Sequence, residues 1–276
     1  PAAAAGLLPV RHPTADFFVC DVFGASPKDD LASMEAVLRS EVAPTLHEVL
    51  GGEHPRHLLG AWWPSDVVAA FEDEARLDAH ARVLDELGLV PASLNVFPAG
   101  RFHGAGVKES VYEPSWWSDE RLAYTIAAAR ACATILARQG VERAVMSTLP
   151  LGFRGRARDR ASDERAVANV FHCALALEEL LERSGVEIVL AIEPEPWCVL
   201  ESIDEALHWF VDEALPFAAR HGNEAAMRRH VGLCLDLCHA AVVGEDPVEA
   251  VRLCARAGMR IGKIQLSSAV VARGSI

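Results

Sequence analysis

The sequence has no uninterrupted apolar run of about 18 residues, the length that a membrane-spanning helix needs. Its first residues, PAAAAGLLPVRHP, contain no charged residue ahead of the short apolar stretch, so they do not resemble a secretory signal. None of the seven cysteines forms a C-x-x-C pair, which argues against a zinc site and favours reduced thiols in a core. We therefore expect a cytoplasmic protein without a membrane span.

Basic residues are scarce relative to acidic ones. The chain has 26 Lys and Arg against 39 Asp and Glu, a formal net charge of −13. Binding nucleic acid through bulk charge requires a positive surface, so we expect no nucleic-acid partner. Apolar residues make up 51% of the 276 residues, which is too high for a disordered chain and sufficient for a large core.

Short apolar runs alternate with longer amphipathic segments along the chain. This alternation predicts right-handed βαβ units and a parallel sheet, and hence a (β/α)8 TIM barrel that is truncated after its seventh strand. We expect one partial barrel domain over residues 1–276, in which 1–16 is a poorly defined N-terminal extension. An open, doubly wound sheet is the alternative, but DVFGASPKDD after the first run lacks the G-x-G-x-x-G pattern.

Seven strands and six helices are predicted. The strands cover 17–23, 58–63, 92–97, 143–148, 187–193, 231–236 and 260–266. The helices cover 30–50, 65–88, 118–139, 162–184, 202–220 and 246–257. Serines at 65, 118, 162 and 202 are the predicted first residues or N-caps of four of these helices.

Polar residues end the fifth, sixth and seventh predicted strands, where barrel enzymes carry their sites. Glu193 ends EIVLAIE, Asp236 ends VGLCLD with His239 three residues later, and Gln265 stands near the end of RIGKIQL. An Asp with a nearby His suits metal binding or acid–base chemistry, and a Gln carbonyl can ligate Mg²⁺ or Mn²⁺. Two structural alternatives stay open: Glu193 in an ion pair with a neighbouring loop, and Asp236 as a helix N-cap.

Further candidate ligand-binding residues lie in loops near the same rim. Glu195 follows Glu193 by two residues and points the same way if the chain stays extended. Asn95 lies near the end of the third predicted strand, and the Gly-rich loop after that strand carries Arg101 and His103. Arg154 belongs to GFRGRARDR, which is either a solvated loop or a clamp for an anionic substrate group.

Five stretches carry a resemblance to a known family: NVFPAGRFHGAGVKESVY, STLPLGFRG, AIEPEPWCVLES, GLCLDLCHAAV and RIGKIQLSSA. Together with the strand-end residues they resemble the xylose-isomerase-like TIM-barrel superfamily of sugar isomerases, ketose epimerases and endonuclease-IV-type enzymes. They look most like its branch of metabolite-traffic protein E from the ebo gene cluster. The resemblance runs from about residue 17 to residue 270 and is densest from residue 92 onward.

The resemblance implies a divalent metal site, for Mn²⁺, Mg²⁺ or Zn²⁺. Glu193 matches the first metal carboxylate, which in epimerases also moves a proton, and Asp236 matches the second metal ligand. His239 matches a histidine that contacts substrate. Gln265 stands where the superfamily has a metal-binding histidine, and the superfamily's last glutamate has no counterpart in this chain.

Three functions follow as hypotheses. The first is a metal-dependent isomerase or epimerase in a metabolite processing or export pathway with protein partners. It acts on a sugar-like or polyol substrate, with or without a phosphate group. The second is a non-catalytic metabolite-binding or handover protein on the same barrel. The third is an endonuclease-IV-like nuclease, which the net charge of −13 disfavours.

Overall fold

A parallel sheet forms the centre of the fold in the computed structural model. The structure describes residues 20–21, 30–50, 56–100, 110–155 and 159–268, so the predicted extension over 1–16 lies outside it. The strands, all parallel, are β1 Cys20–Asp21, β2 His57–Trp62, β3 Leu89–Asn95, β4 Arg143–Thr148, β5 Glu187–Ile192, β6 Val231–Asp236 and β7 Arg260–Gln265.

Strand order follows chain order, from β1 at one edge of the described sheet to β7 at the other. The described strands contain no point at which this order reverses, so the doubly wound alternative is wrong. The sequential parallel order is that of a partial (β/α) barrel, which confirms the α/β class. The prediction that the barrel is truncated after its seventh strand stays a prediction.

Helices follow most of the strands and cover the sheet. They are α1 Leu31–Val37, α2 Ala43–Leu50, α3 Ser65–Ala70, α4 Glu74–Glu86, α5 Asp119–Arg138, α6 Arg160–Ser184, α7 Ile203–His208, α8 Leu215–Arg220, α9 Glu224–His230, α10 Leu237–Val243 and α11 Pro247–Ala257. Two π-helical segments, Leu38–Val42 and Trp209–Ala214, join α1 to α2 and α7 to α8. In the described part of the chain, no helix combines the length and the apolar character needed to cross a membrane.

The first residues of the helices test the capping predictions made from the sequence. Ser118 caps α5, and Ser202 forms a complete capping box with Glu205 at the start of α7, both as predicted. Ser162 is not the start of α6, because Asp159 is the N-cap and accepts a hydrogen bond from the Ser162 amide at 2.9 Å. The predicted helix over 65–88 is two helices, since Asp73 caps α4 separately.

The core lies between the sheet and the helices. The strands β2, β3, β5 and β6 are almost entirely buried, whereas β7, at the edge of the described sheet, is mostly half-buried. Buried, nearly continuous apolar strands are typical of a parallel sheet covered by helices. Six cysteines are free, and five of them are buried, as expected for reduced core thiols: Cys132, Cys173, Cys198, Cys234 and Cys254 are buried, and Cys238 is half-buried.

On the inner face of the sheet the strands approach closely. A Cβ placed on Gly262 of β7 would lie 3.0 Å from Val189 Cγ1 and 3.2 Å from Ala191 Cβ. The glycine therefore lets β7 come within contact distance of the β5 side chains. Because side chains alternate along a strand, Glu193 lies on the same face as Val189 and Ala191.

Candidate metal and active site

Three strand ends bring the predicted rim residues together. Glu193 follows β5, Asp236 ends β6, and Gln265 ends β7 in register with Asp236. The Glu193 amide continues the ladder to the Thr148 carbonyl oxygen at 3.0 Å, so this residue is still held in line with β4. The parallel order places all three side chains at the carboxyl edge of the sheet.

The Gln265 side chain joins the two carboxylates. Its Nε2 donates to Glu193 Oε1 at 2.6 Å and to Asp236 Oδ2 at 3.0 Å. A hydrogen bond to an ionised acceptor is shorter and stronger than one between neutral groups, so this amide fixes the carboxylates relative to each other. The glutamine is thus part of the cluster.

Asp236 serves two purposes through its two oxygens. Oδ1 accepts hydrogen bonds from the Cys238 amide at 2.8 Å, the His239 amide at 3.0 Å and the Ser267 hydroxyl at 2.6 Å. The two amide contacts cap α10, so the structural alternative of Asp236 as a helix N-cap is correct for Oδ1. Oδ2 faces Gln265 and belongs to the cluster.

His239 lies within reach of Glu193, since its Nδ1 is 3.6 Å from Glu193 Oε1. The same Nδ1 is 3.1 Å from the Pro194 carbonyl oxygen, which can only accept, so Nδ1 carries the proton in this contact. That assignment leaves the lone pair on Nε2, the nitrogen available to a ligand or a proton. Backbone hydrogen bonds of this kind orient the histidines of many metal sites.

Burial raises the pKa of the Glu193 carboxyl to about 7, because water is excluded from the strand end. The neighbouring His239 and Lys263 favour the charged carboxylate and limit this rise, whereas Asp236 and Glu195 repel it. Glu193 therefore exchanges its proton near neutral pH, which is the range in which a general acid or base is most effective.

Glu195 is held by a residue that sequence reasoning missed. The Tyr112 hydroxyl donates to Glu195 Oε1 at 2.8 Å, and the Tyr112 ring is stacked on Phe97 and Phe153 with centroids 5.4 Å apart in each pair. Burial raises the pKa of Glu195, while the Tyr112 hydrogen bond lowers it. Charge interactions with His239 and Asp236 place Glu195 within electrostatic range of the cluster.

Beside the carboxylates, three hydrogen-bonded side chains lie across the inner face of the sheet. Lys263 of β7 donates from Nζ to Ser147 Oγ at 3.3 Å, and the Ser147 hydroxyl donates to Asn95 Oδ1. Asn95 was predicted as a binding residue, whereas Lys263 and Ser147 were not. Nothing in their spacing marks them, because the three residues meet only across three strands.

Arg154 lies near the rim but has protein partners. It forms ion pairs with Glu205 at 2.8 Å and Glu201 at 3.4 Å, and it donates to the Cys198 carbonyl oxygen at 3.0 Å. Its predicted role in binding an anionic substrate group stays a prediction. Arg101 and His103 lie outside the described residues.

The chemistry of the donor set fits a divalent cation. One ligand atom from each of Glu193, Asp236 and His239 lies within 4.8 Å of the other two. Carboxylate oxygens suit Mg²⁺ and Mn²⁺, and an imidazole nitrogen suits Zn²⁺ as well. The carbonyl oxygen of Gln265 is a further hard ligand if the amide turns.

Comparison with known proteins defines the family. Residues 60–276, more than half of the chain, match the family described as xylose isomerase-like TIM barrel. The chain belongs to this family. A search of curated protein sequences gave no significant match.

Solved structures with a similar fold include sugar epimerases. An L-ribulose 3-epimerase matches with a TM-score of 0.50 and 17% identity over 90% of this chain and 68% of its own. A xylose isomerase domain protein from Planctomyces limnophilus matches at 0.46 and 16% over 75% of this chain. An IolI protein with a bound zinc atom matches at 0.42 and 16% over 77% of this chain. At this identity the likeness to the epimerase shows the fold alone. The chain spans 63% of the length of each of the latter two proteins.

Proposed function

We propose that this chain is part of a divalent-metal-dependent enzyme of the sugar isomerase and epimerase type, which moves a proton next to a carbonyl group. The observation that carries the proposal is the cluster of Glu193, Asp236 and His239 at the carboxyl edge of the sheet. Family membership supports the same class of chemistry. The substrate class is a sugar or polyol, with or without a phosphate group.

Glu193 is the proposed proton carrier. Its pKa of about 7 means that both the acid and the base form are populated at neutral pH, so one carboxyl can remove and return a proton. His239, held through Nδ1 by the Pro194 carbonyl oxygen, offers Nε2 to a substrate hydroxyl. Glu195, fixed by the Tyr112 hydroxyl, is a second carboxyl that can contact substrate.

Glu193, Asp236 and the carbonyl oxygen of Gln265 are the proposed metal ligands. A bound Mn²⁺, Mg²⁺ or Zn²⁺ would polarise the substrate carbonyl and stabilise negative charge on its oxygen. Lys263 and Asn95 offer a cation and an amide to the polar groups of the substrate, on the β3, β4 and β7 side of the cluster.

Deuterium uptake from solvent tests the proposal directly. The protein is loaded with Mn²⁺, incubated with ketoses and ketose phosphates in D2O, and the substrates are examined by proton NMR. We expect exchange at a carbon next to the carbonyl, lost in Glu193→Gln and retained in Glu249→Gln, whose carboxylate pairs with Arg252 and Arg256 on α11. Absence of exchange with every sugar at full metal occupancy would contradict the proposal.

A metabolite-binding or handover protein is the second candidate. It is favoured by the Gln265 amide, whose nitrogen takes up the two carboxylate oxygens that a cation would need. The chain would then serve a metabolite processing or export pathway of the ebo type together with protein partners. In that case Glu193→Gln keeps ligand binding and pathway function, whereas an enzyme loses turnover.

The cellular setting belongs to the same proposal. Free thiols at Cys132, Cys173 and Cys234, all buried, are compatible with a reducing compartment, and we propose the cytoplasm.

A further inference from the structure

The Gln265 amide nitrogen lies between the two carboxylates of the cluster. It donates at 2.6 Å to Glu193 Oε1 and at 3.0 Å to Asp236 Oδ2. An amide nitrogen has two hydrogens to donate and no lone pair to offer a cation, so in this orientation Gln265 cannot be a metal ligand. It neutralises part of the repulsion between the carboxylates, which is what a bound cation would do.

The other oxygen of Asp236 already has three hydrogen-bond donors. Its Oδ1 already accepts from two backbone amides of α10 and from Ser267 Oγ. A cation must therefore approach Oδ2, the oxygen that Gln265 contacts. On the other carboxylate, the contacted oxygen Oε1 is also the one 3.6 Å from His239 Nδ1.

Backbone pairing keeps the amide in place. Gln265 and Asp236 are register partners on adjacent strands, so their side chains leave the sheet side by side. The glutamine does not need to move to reach Asp236, and a cation that bridges Glu193 Oε1 and Asp236 Oδ2 competes with both of its hydrogen bonds. Rotation of the amide would then turn its oxygen toward the ion.

We propose that Gln265 determines the metal affinity and metal selectivity of this site, closing the carboxylate pair when no cation is bound. The inference deepens the proposed metal-dependent function and rests on the same cluster. Because the group it offers after rotation is a hard carbonyl oxygen, the site favours Mn²⁺ and Mg²⁺ over Zn²⁺. An imidazole at this position would remove the closing amide and add a ligand that Zn²⁺ prefers.

Metal titration of three proteins tests this inference without any measurement of turnover. Wild type, Gln265→Met and Gln265→His are titrated with Mn²⁺ and with Zn²⁺ by calorimetry at about pH 8. Methionine matches glutamine in length but donates no hydrogen bond. Gln139→Met, at the opposite end of the strands, is the control and should leave metal binding unchanged.

We expect Gln265→Met to bind Mn²⁺ about tenfold more tightly than wild type, a difference of about 1.4 kcal/mol. Water can replace the lost carbonyl ligand, whereas the two hydrogen bonds that close the wild-type site are gone. Gln265→His should gain more for Zn²⁺ than for Mn²⁺. The inference would be overturned if Gln265→Met bound Mn²⁺ no more tightly than wild type. It would also be overturned if neither wild type nor Gln265→Met bound Mn²⁺ at millimolar concentration.

A second measurement needs only wild-type protein, so it tests the inference even if the Gln265 variants do not fold. In wild-type protein labelled with ¹⁵N, the side-chain amide protons of Gln265 should be protected from exchange, and they should lose this protection when Mg²⁺ is added. Unchanged protection at saturating Mg²⁺ would also refute the inference. Tight metal binding in Gln265→Met without sugar turnover would leave the inference standing while the enzymatic proposal fails.

Discussion

Glu193→Gln should make the metal-free protein more stable at alkaline pH. Burial raises the pKa of Glu193 from 4.5 to about 7, so the folded state holds this proton more tightly than the unfolded state. The carboxyl contributes fully to stability below pH 4.5, and the contribution is lost as pH rises through 7. A glutamine has no charge to bury and escapes this loss.

The size of the effect follows from the pKa shift. Each unit of pKa is worth about 1.4 kcal/mol, so a rise from 4.5 to about 7 corresponds to about 3 kcal/mol of stability lost by the wild type. The Glu193 side chain is only 13% exposed, and little of this is screened by solvent. Glutamine also keeps an oxygen that accepts from Gln265 Nε2.

Urea unfolding in EDTA at about pH 4.5 and about pH 8 measures the difference. We expect nearly equal free energies of unfolding at the lower pH and an advantage of about 3 kcal/mol for Glu193→Gln at the higher pH. Adding Mn²⁺ at about 1,000 times its Kd should reverse the order, because a ligand at that concentration stabilises only the protein that binds it, by about 4.1 kcal/mol. A pH-independent difference between the two proteins would refute the reasoning.

Three further predictions concern residues around the cluster. Asp236→Asn should keep the cap of α10 but weaken Mn²⁺ binding, whereas Asp236→Ala should also lose about 1 kcal/mol of stability; calorimetry and urea unfolding separate the two effects. Tyr112→Phe should raise the pKa of Glu195, because it removes a hydrogen bond that favours the carboxylate; a lower or unchanged pKa in NMR titration would contradict this. Arg121→Met should cost at least about 2 kcal/mol in urea unfolding, since this buried guanidinium donates to the Pro114 and Val96 carbonyl oxygens. A loss no larger than that of the exposed Arg130→Met would refute it.

Much of the architecture could be predicted from the pattern of apolar residues along the sequence. The strands β4 and β6 begin and end at the predicted residues, since buried parallel strands are short, apolar and bounded by polar residues. Helix boundaries were less accurate where capping residues compete, as with Asp159 ahead of Ser162. The short helices α9 and α10 were missed because neither is long enough to show a clear amphipathic period.

The site was predictable at strand ends and not elsewhere. Glu193, Asp236 and Gln265 each end or follow a strand, so the rule that barrel sites lie at the carboxyl ends found them. Tyr112 lies in a short 3-10 segment after the Gly-rich loop, and its contact with Glu195 joins residues 83 apart in the chain. A contact over that chain separation depends on how α5, β4, α6 and β5, which lie between the two residues, pack together, and local sequence does not specify this packing.

By itself the sequence determined which polar residues stand at the ends of the buried strands, because hydrophobic pattern sets where a strand stops. Only the tertiary structure decided which atoms meet. The irregular register between Leu233 and Cys234 settles how β6 and β7 align, and with it the pairing of Asp236 with Gln265. Whether a glutamine presents its nitrogen or its oxygen depends on its neighbours, and two carboxylates select the nitrogen because they can only accept hydrogen bonds.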